Sequence, residues 1–170
     1  MHEAVQRESK AARDSAGILD ASTLGKIDIQ GTDASEFLNR VYTNAWSKLA
    51  IGKCRYGLML NEDGMVYDDG VTTRLDENHY IMTTTTGGAA TVLGKLEDYL
   101  QTEWPELDVY LTSVTDHYAT ISVCGPNSKK IISKVIPDID LSDEKFPHMS
   151  FKNTKICLLY TSPSPRDTRE

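Results

Sequence analysis

Arg55-Tyr56-Gly57-Leu58-Met59-Leu60, Asn61-Glu62-Asp63-Gly64 and Met65-Val66-Tyr67-Asp68-Asp69-Gly70-Val71 follow one another without a break and decide the fold class. The first and third pieces are rich in β-formers, and Asn, Asp and Gly between them are turn residues, so they predict an antiparallel hairpin of strands Arg55–Leu60 and Met65–Leu75. Working outward, Asp76-Glu77-Asn78 predicts a second turn and Tyr80–Thr86 a third strand. Gly87-Gly88 breaks that strand and starts a helix whose apolar face carries Val92, Leu93, Leu96, Tyr99 and Leu100 and which Pro105 stops. Beyond it, Val109–Val114 and Tyr118–Val123 predict strands, and Asn127–Ile136 a helix with Ile131, Ile132 and Val135 inward. On the N-terminal side, residues 1–14 predict a helix, and Gly17–Asp20 and Lys26–Gln30 predict strands. Asp33 with Glu36 makes a D-x-x-E capping pattern ahead of a helix with Phe37, Leu38, Val41 and Tyr42 inward. Runs of strands with helices laid between them make this an α+β protein with a mostly antiparallel sheet.

Composition narrows the function classes. The 170 residues carry 18 Lys+Arg against 25 Asp+Glu, a net charge of −7, with 39% hydrophobic residues. No apolar run approaches the ~18 residues of a membrane helix, and the N-terminus has no signal-peptide core. An acidic chain without a Lys/Arg cluster lacks the footprint of a nucleic-acid binder. Cys54, Cys124 and Cys157 are far apart and form no C-x-x-C. They are expected to be reduced thiols, buried or half-buried, in a cytoplasmic protein, and neither they nor the scattered histidines suggest a metal site. Thr86-Gly87-Gly88 lacks the spacing of a phosphate-binding loop.

The hairpin carries the candidate chemistry. Asp68-Asp69 interrupt a strand that otherwise favours β-formers, and alternation sends their side chains to opposite faces. With an even turn that pairs Leu60 with Met65, Tyr56 lies directly across from Asp69; an odd loop with a bulge would shift it to Asp68 or Gly70. A half-buried carboxylate beside a phenol can handle a proton or hold an N–H group. The bland alternative is a solvated acidic pair protecting a sheet edge. Thr83-Thr84-Thr85-Thr86 is an ordinary β-branched run by itself.

Several segments together resemble the folate-binding aminomethyltransferase family, whose founding member is the T-protein of the glycine cleavage system. They are Asp20-Ala21-Ser22-Thr23-Leu24-Gly25-Lys26, Phe37-Leu38-Asn39-Arg40-Val41-Tyr42-Thr43-Asn44, Cys54-Arg55-Tyr56-Gly57-Leu58-Met59-Leu60, Asp68-Asp69-Gly70-Val71 and Thr83-Thr84-Thr85-Thr86-Gly87-Gly88. Within the family the likeness is greatest to the C-terminal half of heterotetrameric sarcosine oxidase α subunits, and it covers residues 1–157. It implies a truncated aminomethyltransferase α+β fold: residues 1–52 plus 126–157 as a first lobe, 53–125 as an inserted lobe, and 158–170 as a disordered or non-native tail. It implies tetrahydrofolate as cofactor, with Asp69 catalytic (Asp68 the second choice) and Tyr56, Val71, Thr84 and Leu24 lining the folate site; a gap would replace Thr84 by Thr85. The implied activity is formation of 5,10-methylene-tetrahydrofolate from the sarcosine methyl group. FAD or FMN and NAD would lie outside this chain, and the partners would be the other subunits of the oxidase. A dimethylglycine or sarcosine dehydrogenase is the alternative setting for the same module. A non-catalytic iron–sulfur maintenance protein of this fold would carry a K-G-C-Y-x-G-Q-E-type motif, which does not occur. The family's R-x-x-[FY]-T-G-E segment and C-terminal barrel do not follow residue 157, so the chain is expected to be a fragment, inactive alone.

Overall fold

The computed structural model describes residues 2–155; Cys157 and the tail expected over 158–170 lie outside them. The elements are α1 (His2–Asp14), β1 (Gly17–Asp20), β2 (Gly25–Gln30), α2 (Ala34–Val41), β3 (Cys54–Leu60), β4 (Val66–Asp76), β5 (His79–Thr84), α3 (Ala89–Thr102), β6 (Tyr110–Ser113), β7 (Ile121–Cys124) and α4 (Ser128–Val135). A five-stranded sheet runs β3-β4-β5-β2-β6, and β1 pairs with β7 in a separate two-stranded ribbon. All the ladders are antiparallel. Val109 and Val114 fall outside β6, while 118–120 precede β7 without joining it. The expected lobe boundary at 52/53 does not coincide with a sheet boundary, because β2 lies between β5 and β6.

One face of the sheet is the core. Ile27 and Ile29 of β2, Met59 of β3 and Tyr80 and Met82 of β5 are buried against Phe37 and Leu38 of α2, Trp46, and Val92 and Leu96 of α3. Close packing fixes the strand here: a Cβ on Gly57 would stand 2.5 Å from the Trp46 ring. Trp104, one residue before Pro105, packs edge-on to Phe37 at 6.1 Å between ring centroids. The opposite face is half open, so Lys26, Asp28 and Gln30 can alternate with Ile27 and Ile29 in one strand.

Three local expectations are corrected. Asp33 precedes α2 but makes no side-chain cap; its carboxylate accepts the Asp108 N–H at 2.9 Å instead. A second backbone partner thus competes for the capping oxygen. In α4, Ile131 and Val135 are exposed, because the helix packs on a two-stranded ribbon that offers no second layer. Cys124 of that ribbon is exposed for the same reason, whereas Cys54 is half-buried; both are free thiols.

The hairpin register is the correction that bears on function. Asn61 N–H donates to the Met65 carbonyl at 2.9 Å, so the loop is three residues long, Glu62-Asp63-Gly64, with Gly64 at φ +76°. A left-handed glycine closing a three-residue loop adds one offset. A second comes from the irregularity at Met59/Leu60, where Leu60 faces Val66 but Met59 faces Asp68. Tyr56 therefore faces Val71, and Asp69 faces Leu58. Two single-residue offsets restore the parity of the strand, so Tyr56 and Asp69 still share a face as diagonal neighbours.

Candidate functional site

Asp68 and Asp69 leave β4 on opposite faces, and the structure gives them opposite environments. Asp68 is 3% exposed. Its Oδ2 accepts the Tyr42 hydroxyl at 3.0 Å, and its Oδ1 accepts the Thr85 N–H at 3.1 Å and the Thr85 hydroxyl at 2.9 Å. A buried carboxylate is tolerated when donors satisfy it, and here three do. Tyr42 is held far above a phenol's ordinary range, first by burial, then by the Asp68 charge and the hydrogen bond to it, and last by the Asp69 charge.

Asp69 is exposed on the half-open face. None of the ion pairs among the described residues involves it. Tyr56 is exposed on the same face, opposite Val71. Its backbone is held from the side by Asn44, whose amide donates to the Tyr56 carbonyl and whose φ of 96° is left-handed. Thr43 extends the clamp: its hydroxyl accepts the Leu58 N–H at 3.0 Å, and its own N–H donates to the Leu58 carbonyl at 2.8 Å. The edge of β3 is thus occupied beside Tyr56 instead of lying open.

Farther across this face lies a cleft of about 720 Å³, with Lys26, Val71, Ile81 and Thr83 on the sheet side and Tyr118 and Phe151 across from them. Of the residues expected to bind a ligand, Val71 lines this cleft. Leu24 is half-buried in the loop before β2, and its carbonyl accepts Lys26 Nζ at 3.0 Å. Thr84 sits differently from expectation. It is 1% exposed, and its hydroxyl donates to the Thr85 carbonyl at 3.2 Å. Alternation turns Thr84 to the core side and leaves Thr83 on the open side.

Two further features escaped the sequence reading. Lys26 is buried, and its Nζ donates to the carbonyls of Ser22, Leu24 and Thr115 at 2.9, 3.0 and 3.3 Å. Asp28 accepts from Gln30 at 2.6 Å and pairs with His79 near the far end of the cleft. The signal for both was the K-I-D-I-Q alternation, which places Lys26 and Asp28 on the face opposite Ile27 and Ile29. Among the described residues no three His, Cys, Asp or Glu side chains gather as a metal site.

The model of the GCVT N-terminal domain family matches residues 1–161. The sarcosine oxidase subunit alpha of Corynebacterium sp. (strain U-96) is 58% identical over 156 residues, covering 92% of this chain and 16% of that protein. The aminomethyltransferase of Listeria monocytogenes serotype 4a (strain HCC23) is 33% identical over 146 residues, 84% of this chain and 38% of that one. Among solved structures, the glycine cleavage system aminomethyltransferase T from Bartonella henselae superposes with a TM-score of 0.70 at 25% identity, over 77% of this chain and 35% of that chain. The chain thus spans well under half the length of each of these proteins. The last match carries the truncated aminomethyltransferase α+β fold expected from the sequence.

Proposed function

The chain belongs to the GCVT N-terminal domain family, and from that premise we propose that it is the folate-binding part of a sarcosine-oxidising enzyme subunit. In this reading it binds tetrahydrofolate for capture of the one-carbon unit released from the sarcosine methyl group as 5,10-methylene-tetrahydrofolate. One observation carries the reading: a carboxylate that forms no ion pair among the described residues, Asp69, stands on a half-open sheet face beside Leu58 and Tyr56. The relatives named sarcosine oxidase and aminomethyltransferase are enzymes, which favours a catalytic setting over a passive binding one.

The residues present suit a folate. A pterin offers a flat ring with N–H groups along its edge, which calls for an aromatic or apolar surface and an ionised acceptor. Tyr56, Leu58 and Val71 provide the surface, and Asp69 provides the acceptor. Leu24 and the cleft beside Val71 extend the apolar wall, while Thr84 supports the turn from beneath. When bound, tetrahydrofolate supplies the amine nitrogens that accept the one-carbon unit. Asp69 Oδ orients such an N–H and takes its proton, a general-base and electrostatic role. Tyr56 packs along the ring. Flavin and NAD chemistry is placed outside this chain, on other parts of the complete enzyme and its partner subunits.

The test is Asp69→Asn in the complete subunit and its complex. The fraction of consumed sarcosine recovered as methylene-tetrahydrofolate, against free formaldehyde, should fall at least 10-fold. A wild-type fraction would refute the assignment.

A further inference from the structure

The sequence segments that are most characteristic of this chain converge on one buried side chain, and it is not Asp69. Tyr42 of the Val41-Tyr42-Thr43-Asn44 segment donates to Asp68. Thr85 of the threonine run donates to it twice, from its N–H and its hydroxyl. The neighbouring Thr86 meets Thr23 of the Asp20–Lys26 segment at 3.2 Å between hydroxyl oxygens, and Lys26 ties that loop down through the Ser22 and Leu24 carbonyls. Asp68 is therefore the joint at which β4, the residue after β5 and the residue after α2 are held together.

We propose that Asp68 is a positioning residue for Asp69: its three hydrogen bonds fix where β4 leaves the bulge, and so aim the next carboxylate at the open face. This rests on the assignment of Asp69 made above. The need for such a device follows from the hairpin. β4 enters the sheet through two register irregularities, at Gly64 and at Met59/Leu60, the second just before Asp68. Slippage by one residue there would exchange the two aspartates between core and open face. The core position of Asp68 is lined with donors, and a slip that seated Tyr67 there would take their carboxylate acceptor away. On the far side, Gly70 is threaded so closely past β5 that a Cβ would lie 1.8 Å from the Thr83 carbonyl oxygen. Asp69 is thus held between two fixed neighbours.

Geometry, not charge, is the requirement, and that can be separated by substitution. Asp68→Asn can keep all three contacts: its carbonyl oxygen accepts from Thr85, and its amide donates to Tyr42, whose hydroxyl then serves as acceptor. Asp68→Ala keeps none. In the complete subunit and its complex, Asp68→Ala should lower the fraction of sarcosine-derived carbon trapped on tetrahydrofolate at least 10-fold. That loss should appear in the trapping rate at saturating tetrahydrofolate, with its half-saturating concentration changed less than 3-fold. Asp68→Asn should restore trapping to within 3-fold of wild type. Should Asp68→Ala fail to fold, Thr85→Val, which removes one of the three donors, should lower trapping 3- to 10-fold. Wild-type trapping by Asp68→Ala or by Thr85→Val, or an Asp68→Asn variant as poor as Asp69→Asn, would overturn the proposal. If Asp69→Asn itself traps normally in the same assay, it is the functional assignment that fails.

Discussion

Tyr42→Phe removes one oxygen from the core, and its effect should depend on pH in a way the structure fixes. At neutral pH the variant loses a hydrogen bond to a buried carboxylate, an interaction worth about 1.5–3 kcal/mol. In wild type the folded phenol stays protonated far above its ordinary value of 10.0, because burial and the Asp68 charge oppose the phenolate. The unfolded chain ionises normally. Folding therefore binds a proton at alkaline pH, and the phenol's contribution is complete below pH 10 and lost as the pH rises above it. The slope approaches about 1.4 kcal/mol per pH unit, so at about pH 11.5 wild type has forfeited roughly 2 kcal/mol through this group alone. The phenylalanine of the variant has no proton to lose. Urea unfolding of the two proteins at pH 8 and pH 11.5 should thus show Tyr42→Phe about 2 kcal/mol less stable at the lower pH and nearly equal at the higher. Other alkaline titrations cancel in the difference. A stability gap that stays constant between the two pH values would refute the placement of this phenol against Asp68.

Gly70→Ala should cost about 3 kcal/mol in urea unfolding, since its Cβ would meet backbone, the Thr83 carbonyl oxygen, at 1.8 Å and not a yielding side chain; a loss under about 1 kcal/mol would contradict the strand spacing. Asn44→Gly keeps the left-handed backbone and loses only the amide bond to Tyr56, about 1 kcal/mol, whereas Asn44→Ala should lose about 1 kcal/mol more in the same titration. Tyr56→Ala, at a side chain that is 65% exposed, should leave the melting temperature of the complete subunit nearly unchanged. The same variant should reduce the upward shift produced by saturating folinic acid, consistent with affinity about 10-fold weaker; a full shift would remove Tyr56 from the site.

Most of the architecture was legible because the local signals agree with one another. The apolar spacing of Val92, Leu96 and Leu100 requires a helix, Gly87-Gly88 and Pro105 bound it, and the alternation in Lys26–Gln30 marks a strand with one dry and one open face. What was not legible depends on partners distant in sequence. The Asp33 capping pattern gave way to a contact with Asp108, and the inward stripe expected of α4 has only a narrow ribbon to pack on. Thr84, which the resemblance placed at the folate site, is turned to the core side of β5, away from the open face. The grouping of the candidate residues on one face was legible, but their register was not. Asp69, Tyr56 and Val71 do share a face, yet Tyr56 stands across from Val71.

The survival of that grouping has a physical reason. A single-residue offset in a hairpin exchanges the two faces of a strand, which here would bury Asp69 and expose Asp68; two offsets exchange them twice. A loop that closes through Gly64 supplies the first offset, so a compensating irregularity is needed before the strand reaches the aspartates, and it occurs at Met59/Leu60. What selects the compensated register is the energetic difference between the two carboxylates. On the core side Tyr42 and Thr85 offer three donors that no apolar residue could satisfy. On the open side, next to Leu58 and Tyr56, no such donor is found among the described residues, and water or a ligand solvates the charge. Deleting Glu62 leaves Asp63-Gly64 as a two-residue turn that can keep Asn61 paired with Met65, so the offset at Met59/Leu60 and the burial of Asp68 should persist. Urea unfolding of this variant should then differ from wild type by less than about 1 kcal/mol, with folate trapping retained. A loss of several kcal/mol, about 1–3 for each donor stranded at the core position of Asp68, would show instead that the three-residue loop itself carries the register.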